Sequence, residues 1–428
     1  MHGEEINVNS SNSESEEASS DQGSNDDSDS KLHQSSPTQS GGGEEPDGNH
    51  EPLLNFLLGP DTSVDSMSQP TEARMDSSDS PDLSSSKTAE KLEPSGSVAA
   101  SPTSKSDDKK GPKSSSTVTV FLHRQTETSD GSVDSSLGGS VVRALCESRQ
   151  FRVRGITRNP DSPKAKEFKQ QGVEMVKGDL DSPEELEKAF AGAHGIFVTT
   201  NFWQPSIMAN PEQEIQQGKN AADAAKKVGV QHLVWSSLPN VAKTTSGKFT
   251  KVHHFDNKAK VEDYMRSLDL PLTVVRYGFY MSNMVEPAGN VHRGSDGVYQ
   301  IEFPVSGSTI VPPFAAEIDG GRCMLHCFLN PRETIGRVYD LACCQTTLQT
   351  MVDTMAKRAG KEIRLVELNS KQAMEHPAFS NPDMYEMFQF YKEFGCFMAK
   401  ESIDETRDTF GPLLHFEDYL IHIGWTLP

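Results

Sequence analysis

The 428-residue chain is poor in apolar side chains (34%) and in aromatics (7%), and it holds six cysteines. So few cysteines in a chain of this length make no disulfide framework and point to a reducing compartment. No run of about 18 apolar residues occurs, so no membrane-spanning helix is expected. Met1-His2-Gly3-Glu4-Glu5 carries neither a basic cluster nor an apolar stretch, so no secretory signal is expected. Basic residues are also scarce: 41 Lys and Arg stand against 62 Asp and Glu, a net charge of -21. Binding to nucleic-acid phosphates needs clustered Lys and Arg, so direct nucleic-acid binding is not expected. These absences predict a soluble, intracellular protein.

The scarcities are unevenly spread. Residues 1–116 hold 23 acidic and 8 basic side chains, 29 Ser, one aromatic (Phe56) and no cysteine. So little apolar surface cannot offset the entropy of ordering a chain, which predicts a disordered acidic, Ser-rich tail. In that tail Ser36-Pro37, Ser80-Pro81 and Ser101-Pro102 suit proline-directed kinases, while Ser13, Ser15, Ser28 and Ser30 sit among acids. Leu54, Leu57 and Leu58 form an L-x-x-L-L pattern, three leucines on one face of a short helix that fits a partner's groove. Chance occurrence is the plain alternative. Lys105, Lys109, Lys110 and Lys113 form a basic stretch of the kind used in nuclear import, diluted by Asp107 and Asp108.

The rest of the chain is nearly balanced in charge and long enough for one large or two ordinary domains. From Thr117, short β-branched runs alternate with amphipathic helical runs, the pattern of a parallel sheet covered by helices. Strands are predicted at 117–122, 151–156, 173–176, 195–199, 232–236 and 272–276, with helices at 139–148 and 163–171 between the first of them. Ser182, Pro183 and Glu185 mark a capped helix start with a capping box. Asn210-Pro211 opens a long helix that ends near Val228, with Gly229 as a left-handed stop. Val261, Tyr264, Met265 and Leu268 place a further helix that starts near Asp256. The expected fold is α/β, a Rossmann-type doubly wound parallel sheet over 117–282. A smaller C-terminal α+β region over 283–428 is expected to complete the ligand cleft. It is read with strands at 298–303 and 363–368 and helices near 333–343, 347–359 and 408–423.

A dinucleotide fold needs a glycine-rich turn directly after strand one, where backbone must approach the pyrophosphate. Here no glycine follows Leu122 until Gly131, and Gly138 and Gly139 alone have the expected look at a helix start. They either allow close helix–strand packing or lend their amides to a phosphate cradle on a longer loop. Where an NAD-specific fold carries Asp or Glu after strand two, this chain has Thr157-Arg158-Asn159. Arg158 suits a 2′-phosphate, bidentately, and favours NADP; a solvated surface arginine is the plain alternative. Asp179 is placed to reach the adenine amine, and Thr199, Thr200 and Asn201 to line the nicotinamide side. Cys323, Cys327, Cys343 and Cys344 match no structural zinc spacing and are expected to be core thiols, so no metal site is predicted. His253 and His254 either line the cleft or sit in a loop.

Several stretches together carry a resemblance: Gly138-Gly139-Ser140-Val141, residues 151–160 (FRVRGITRNP), Gln170-Gln171-Gly172-Val173-Glu174 and Gly178-Asp179. Thr200-Asn201-Phe202-Trp203, Gln213-Glu214, His254-Phe255-Asp256-Asn257-Lys258-Ala259 and Phe279-Tyr280 extend it. From Thr117 to about Ser282 the chain resembles the NmrA-like family of atypical short-chain dehydrogenase/reductases. That resemblance implies an NADP-binding protein acting as redox sensor and transcriptional co-regulator, with a protein partner such as a transcription factor. The chain departs from the family's Gly-Ala-Thr-Gly-x-x-Gly-Gly loop by an insertion, and carries Leu122 where the first glycine belongs.

Reductases of the wider group use Tyr-x-x-x-Lys, and no Tyr here has Lys four residues later. Related isoflavone reductase-like enzymes use a lysine instead, and Lys258 falls in the corresponding segment. The resemblance makes it the candidate catalytic residue, or else a group that hydrogen-bonds the cofactor's ribose or lies on the surface. An NADP(H)-binding regulator is therefore expected. The alternative is an atypical NADPH-dependent reductase of quinone-like or phenylpropanoid-like carbonyls.

Overall fold

All of Thr117–Phe121, Gly195–Val198 and His232–Ser237 is buried. Strands buried on both faces read as unbroken apolar or β-branched runs, which is how a parallel sheet covered by helices is written in a sequence. The computed structural model describes residues 116–122, 137–285 and 291–427. The predicted tail with its kinase sites, its Leu54, Leu57 and Leu58 pattern and its lysine stretch lies outside the described residues, as does the interrupted loop 123–136.

The first half alternates regularly: β1 (Thr117–Phe121), α1 (Leu137–Ser148), β2 (Arg152–Thr157), α2 (Pro163–Gln170), β3 (Glu174–Lys177), α3 (Pro183–Phe190) and β4 (Gly195–Val198). It continues with α4 (Glu212–Val228), β5 (His232–Ser237), α5 (His253–Ser267) and β6 (Leu272–Tyr277). The second half contains β7 (Val291–Arg293), β8 (Tyr299–Phe303), α6 (Ala316–Leu329), β9 (Val338–Leu341), α7 (Leu348–Ala359), β10 (Ile363–Glu367), α8 (Pro382–Phe394), α9 (Lys400–Phe410) and α10 (Phe416–His422). The main sheet runs β9-β6-β5-β4-β1-β2-β3 and every neighbouring pair is parallel. This is a Rossmann-type doubly wound sheet. Its order reverses between β1 and β4, so a ligand crevice is expected at the carboxyl ends of those strands. β10, β8 and β7 form a separate three-stranded sheet.

Local chemistry sets most of these boundaries. Ser182 accepts a hydrogen bond from the Glu185 amide at 3.4 Å, as an N-cap should. The Glu185 side chain does not close the expected capping box; it accepts from Lys177 Nζ at 2.7 Å instead. Gly229 stops α4 at φ 66°, the left-handed region where a side chain would be strained.

Two readings of the second half are corrected, and one helix went unread. The helix expected near 333–343 is a single turn at Pro331–Thr334 followed by β9, which becomes the seventh strand of the sheet. Gly336, at φ +86°, breaks the helical path there and donates its amide to Leu272 O at 2.7 Å. The helix expected at 408–423 is two helices, α9 and α10, parted by Gly411 and Pro412. Helix α6 had no sequence signal because Gly320-Gly321 weakens its intrinsic propensity. Packing explains those glycines: a Cβ on Gly321 would lie 2.1 Å from Ser140 O, and one on Gly320 2.6 Å from Leu137 Cδ1. They let α6 press against α1, and Cys323 and Cys327 go with it into the core, both fully buried.

His232 on β5 carries a testable acid sensitivity. Thr273 donates its hydroxyl proton to Thr334 O at 2.8 Å, so it accepts from His232 Nε2 at 2.8 Å. The other ring nitrogen, Nδ1, has no partner among the described residues. Burial, with a smaller contribution from His194, pushes the imidazole down to about 3. The unfolded chain takes up this proton near pH 6.5 and the folded one does not, so stability falls as pH drops below that value. Between pH 7 and pH 5 the loss from this group is expected to be about 2 kcal/mol. Denaturant unfolding at the two pH values checks it, and His232→Gln is expected to flatten the dependence. An unchanged slope in that variant refutes the assignment.

Candidate functional site

The carboxyl ends of the central strands open onto a cavity of about 200 Å³. Five of the site residues expected from the sequence meet there: Gly138, Thr199, Thr200, Asn201 and Lys258. Gly138 sits where α1 meets β1, and a Cβ on it would lie 2.8 Å from Phe121 O. Close helix–strand packing is therefore realised at this position, and Gly139 is buried beside it. Asn201 turns the chain after β4, its Oδ1 accepting from the Trp203 amide at 3.0 Å.

Arg158 and Asp179 stand further along the same edge. A small hollow holds both, together with Phe121 and Gly178. A second hollow, of about 290 Å³, is lined by Arg158, Asn159, Lys164 and Phe168. Arg158 is exposed and makes no ion pair among the described residues; Lys164 pairs with Glu167 at 3.1 Å. Two cations beside an open hollow are the donor set that a phosphate requires. Asp179 is half-buried and holds the following turn, its Oδ1 accepting from the Asp181 amide at 3.1 Å. Lys164 escaped the sequence reading, though its place just inside α2, after the strand that leads into Arg158, was a usable signal.

Lys258 is buried, with 8% of its surface exposed. Its Nζ donates to Thr200 O at 2.9 Å and Thr200 Oγ1 at 2.6 Å, and lies 3.1 Å from Glu214 Oε1. Thr200 in turn donates its hydroxyl to the same Glu214 oxygen at 2.7 Å. Glu214 is fully buried and the ammonium also sits 5.7 Å from the Trp235 ring. The ammonium thus makes two hydrogen bonds to Thr200, and its charge is paired with Glu214. The sequence reading missed Glu214 as the partner. An acid on the buried face of α4, among Ile215, Gly218 and Ala221, is itself the sign that a buried cation must be near.

The far wall of the cavity is aromatic and sulfur-rich: Trp203, Phe279 and Tyr280 face Met384, Met387 and Tyr391 of α8. Tyr277 stands in it with a buried hydroxyl that finds no hydrogen-bond partner among the described residues, and burial raises its pKa well above the ordinary tyrosine value. Asp383 ties α8 to α5, accepting from the His253 amide at 2.7 Å and from His253 Nδ1 at 3.2 Å, with His254 Nδ1 at 3.6 Å. Burial would raise the Asp383 pKa, but His254 and His253 outweigh it and hold the carboxyl below its usual value. His254 lines the cleft, one of the two roles the sequence left open.

The sequence profile of the NmrA-like family matches residues 135–420. The chain belongs to the NmrA-like family. Among its relatives is an NmrA-like family domain-containing oxidoreductase of Aspergillus japonicus, 31% identical over 56% of this chain and 76% of that protein. An NmrA-like family domain-containing protein of Dictyostelium discoideum is 27% identical over 68% of this chain and 95% of that one. In solved structures, the same fold occurs in NmrA, a negative transcriptional regulator in complex with NADP (TM-score 0.57, 21% identity, 71% of this chain and 94% of that one). It occurs also in the triphenylmethane reductase of Citrobacter sp. complexed with NADP(H) (TM-score 0.56, 18% identity, 72% and 99%). Among the described residues of this NmrA-like chain, no helix is long and apolar enough to cross a membrane.

Proposed function

We propose that this NmrA-like chain is an NADP(H)-binding regulatory protein, whose cofactor occupancy is read by a protein partner such as a transcription factor. The observation that carries this reading is the engagement of Lys258: Thr200 accepts two hydrogen bonds from its ammonium and Glu214 pairs its charge, so the group is committed within the protein rather than presented to a substrate. NADP fits the donor set, because Arg158 and Lys164 flank an open hollow where an NAD-specific site would present a carboxylate. In this reading Arg158 holds the 2′-phosphate, Asp179 the adenine amine, and Thr199, Thr200 and Asn201 the nicotinamide side. Residues 117–282 form the cofactor domain and 283–428 close the cleft. The partner would be met in the cytoplasm or the nucleus.

A second reading rests on a different observation. The apolar, aromatic-walled cavity and the unpaired Tyr277 hydroxyl suit a flat acceptor such as a quinone, and NADPH, when bound, supplies a hydride. The names of NADP(H)-bound and oxidoreductase relatives support both readings alike. Calorimetric titration with NADPH and NADH, followed by turnover with a quinone panel, separates them. NADPH is expected to bind at least about tenfold more tightly than NADH, without turnover. Robust turnover lost in Lys258→Ala defeats the regulatory reading, and no binding at millimolar cofactor defeats both.

A further inference from the structure

Strand β9 ends at Leu341 and turns through Ala342 into Cys343 and Cys344. The turn is held on both sides: the Cys343 amide donates to Pro313 O at 2.9 Å, and Gln345 Nε2 to Met398 O at 2.7 Å. The two sulfurs lie 3.5 Å apart. His415, at the cap of α10, comes from far along the chain, and one ring nitrogen and both sulfurs all lie within 4.8 Å of one another. Cys343 is buried, Cys344 half-buried and His415 exposed.

We propose that Cys343, Cys344 and His415 form a binding site for a thiophilic d10 cation of the Zn(II) type. Two thiolates on one tetrahedral zinc, with bonds of about 2.3 Å, stand roughly 3.8 Å apart. The sulfurs found 3.5 Å apart need little movement to reach that separation. A disulfide is the rival use of adjacent thiols, and geometry disfavours it. Neighbouring Cα atoms are about 3.8 Å apart, below the roughly 4.4 Å at which disulfides begin. A shared cation imposes no such strain. The exposed imidazole leaves a fourth position to solvent, the arrangement of three-ligand zinc sites.

The site backs directly onto the cleft. Leu341 O accepts from the Gly278 amide at 3.0 Å, and Pro312 O from the Phe279 amide at 2.7 Å. Gly278 and Phe279 line the cavity, so a cation bound behind them stiffens that wall. The test uses the full-length protein, reduced and stripped of metal. Zn(II) is titrated in competition with a chromogenic chelator, and Co(II) is added in parallel to read thiolate charge-transfer and tetrahedral bands. One equivalent is expected to bind with those bands present. Cys344→Ser is expected to abolish them. His415→Ala, a surface change that leaves the fold in place, is expected to weaken binding by at least about tenfold. Cys146→Ser, on α1, is expected to change nothing. Absence of stoichiometric binding, or binding kept in both Cys344→Ser and His415→Ala, overturns the proposal.

Discussion

Replacing Glu214 with alanine is expected to destabilise the fold by about 3–5 kcal/mol, the largest effect of any single change discussed. Glu214 and Lys258 are both buried, 3.1 Å apart, and Thr200 bridges them. Removing the acid strands an ammonium with Thr200 and the Trp235 ring as its remaining neighbours. A buried charge without its counter-charge is costly, whereas an intact buried pair contributes little net stability. Two comparisons follow. Glu214→Gln, which keeps an acceptor for Thr200, is expected to lose less. A double Glu214→Ala, Lys258→Met variant is expected to recover much of the loss, because neither charge remains. Denaturant unfolding of the wild type, Glu214→Ala, Lys258→Met and the double variant gives the coupling energy of the cycle. Additive single-site losses mean that the two side chains do not depend on each other, and the account of Lys258 fails.

Arg158→Ala is expected to weaken NADPH binding by roughly 10- to 100-fold while leaving NADH unchanged. That range corresponds to about 1.5–3 kcal/mol for hydrogen bonds to a charged group. The side chain is exposed, so its loss is expected to alter stability by no more than about 0.5 kcal/mol. A binding defect is then not confused with misfolding. Lys164→Ala is expected to act in the same direction more weakly, since Lys164 shares its charge with Glu167. Arg158→Glu reverses the sign of the recognition and is expected to favour NADH. Calorimetry with both dinucleotides checks all three variants. Equal loss for NADPH and NADH after Arg158→Ala removes the basis for a 2′-phosphate site.

The six strands β1 to β6, with the helices between them, were legible in the sequence because each announces itself locally. β-branched runs, Ser182 as a cap and Gly229 as a stop are all properties of a short window. Arg158 was legible for the same reason: a residue at the end of a strand keeps that place whatever packs around it. β9 was not legible, because four residues make a strand only when β6 is there to pair with them. Helix α6 looked weak in isolation, and its two glycines make sense only against Ser140 and Leu137 of α1. The partnership of Lys258 with Glu214, the α8 wall of the cavity and the meeting of His415 with Cys343 and Cys344 were likewise decided by the tertiary structure alone. Periodicity and capping are local free energies written into neighbouring residues. A buried ion pair or a cluster of ligands depends on burial shared between segments far apart in the chain, and that exists only once the sheet and its helices have closed.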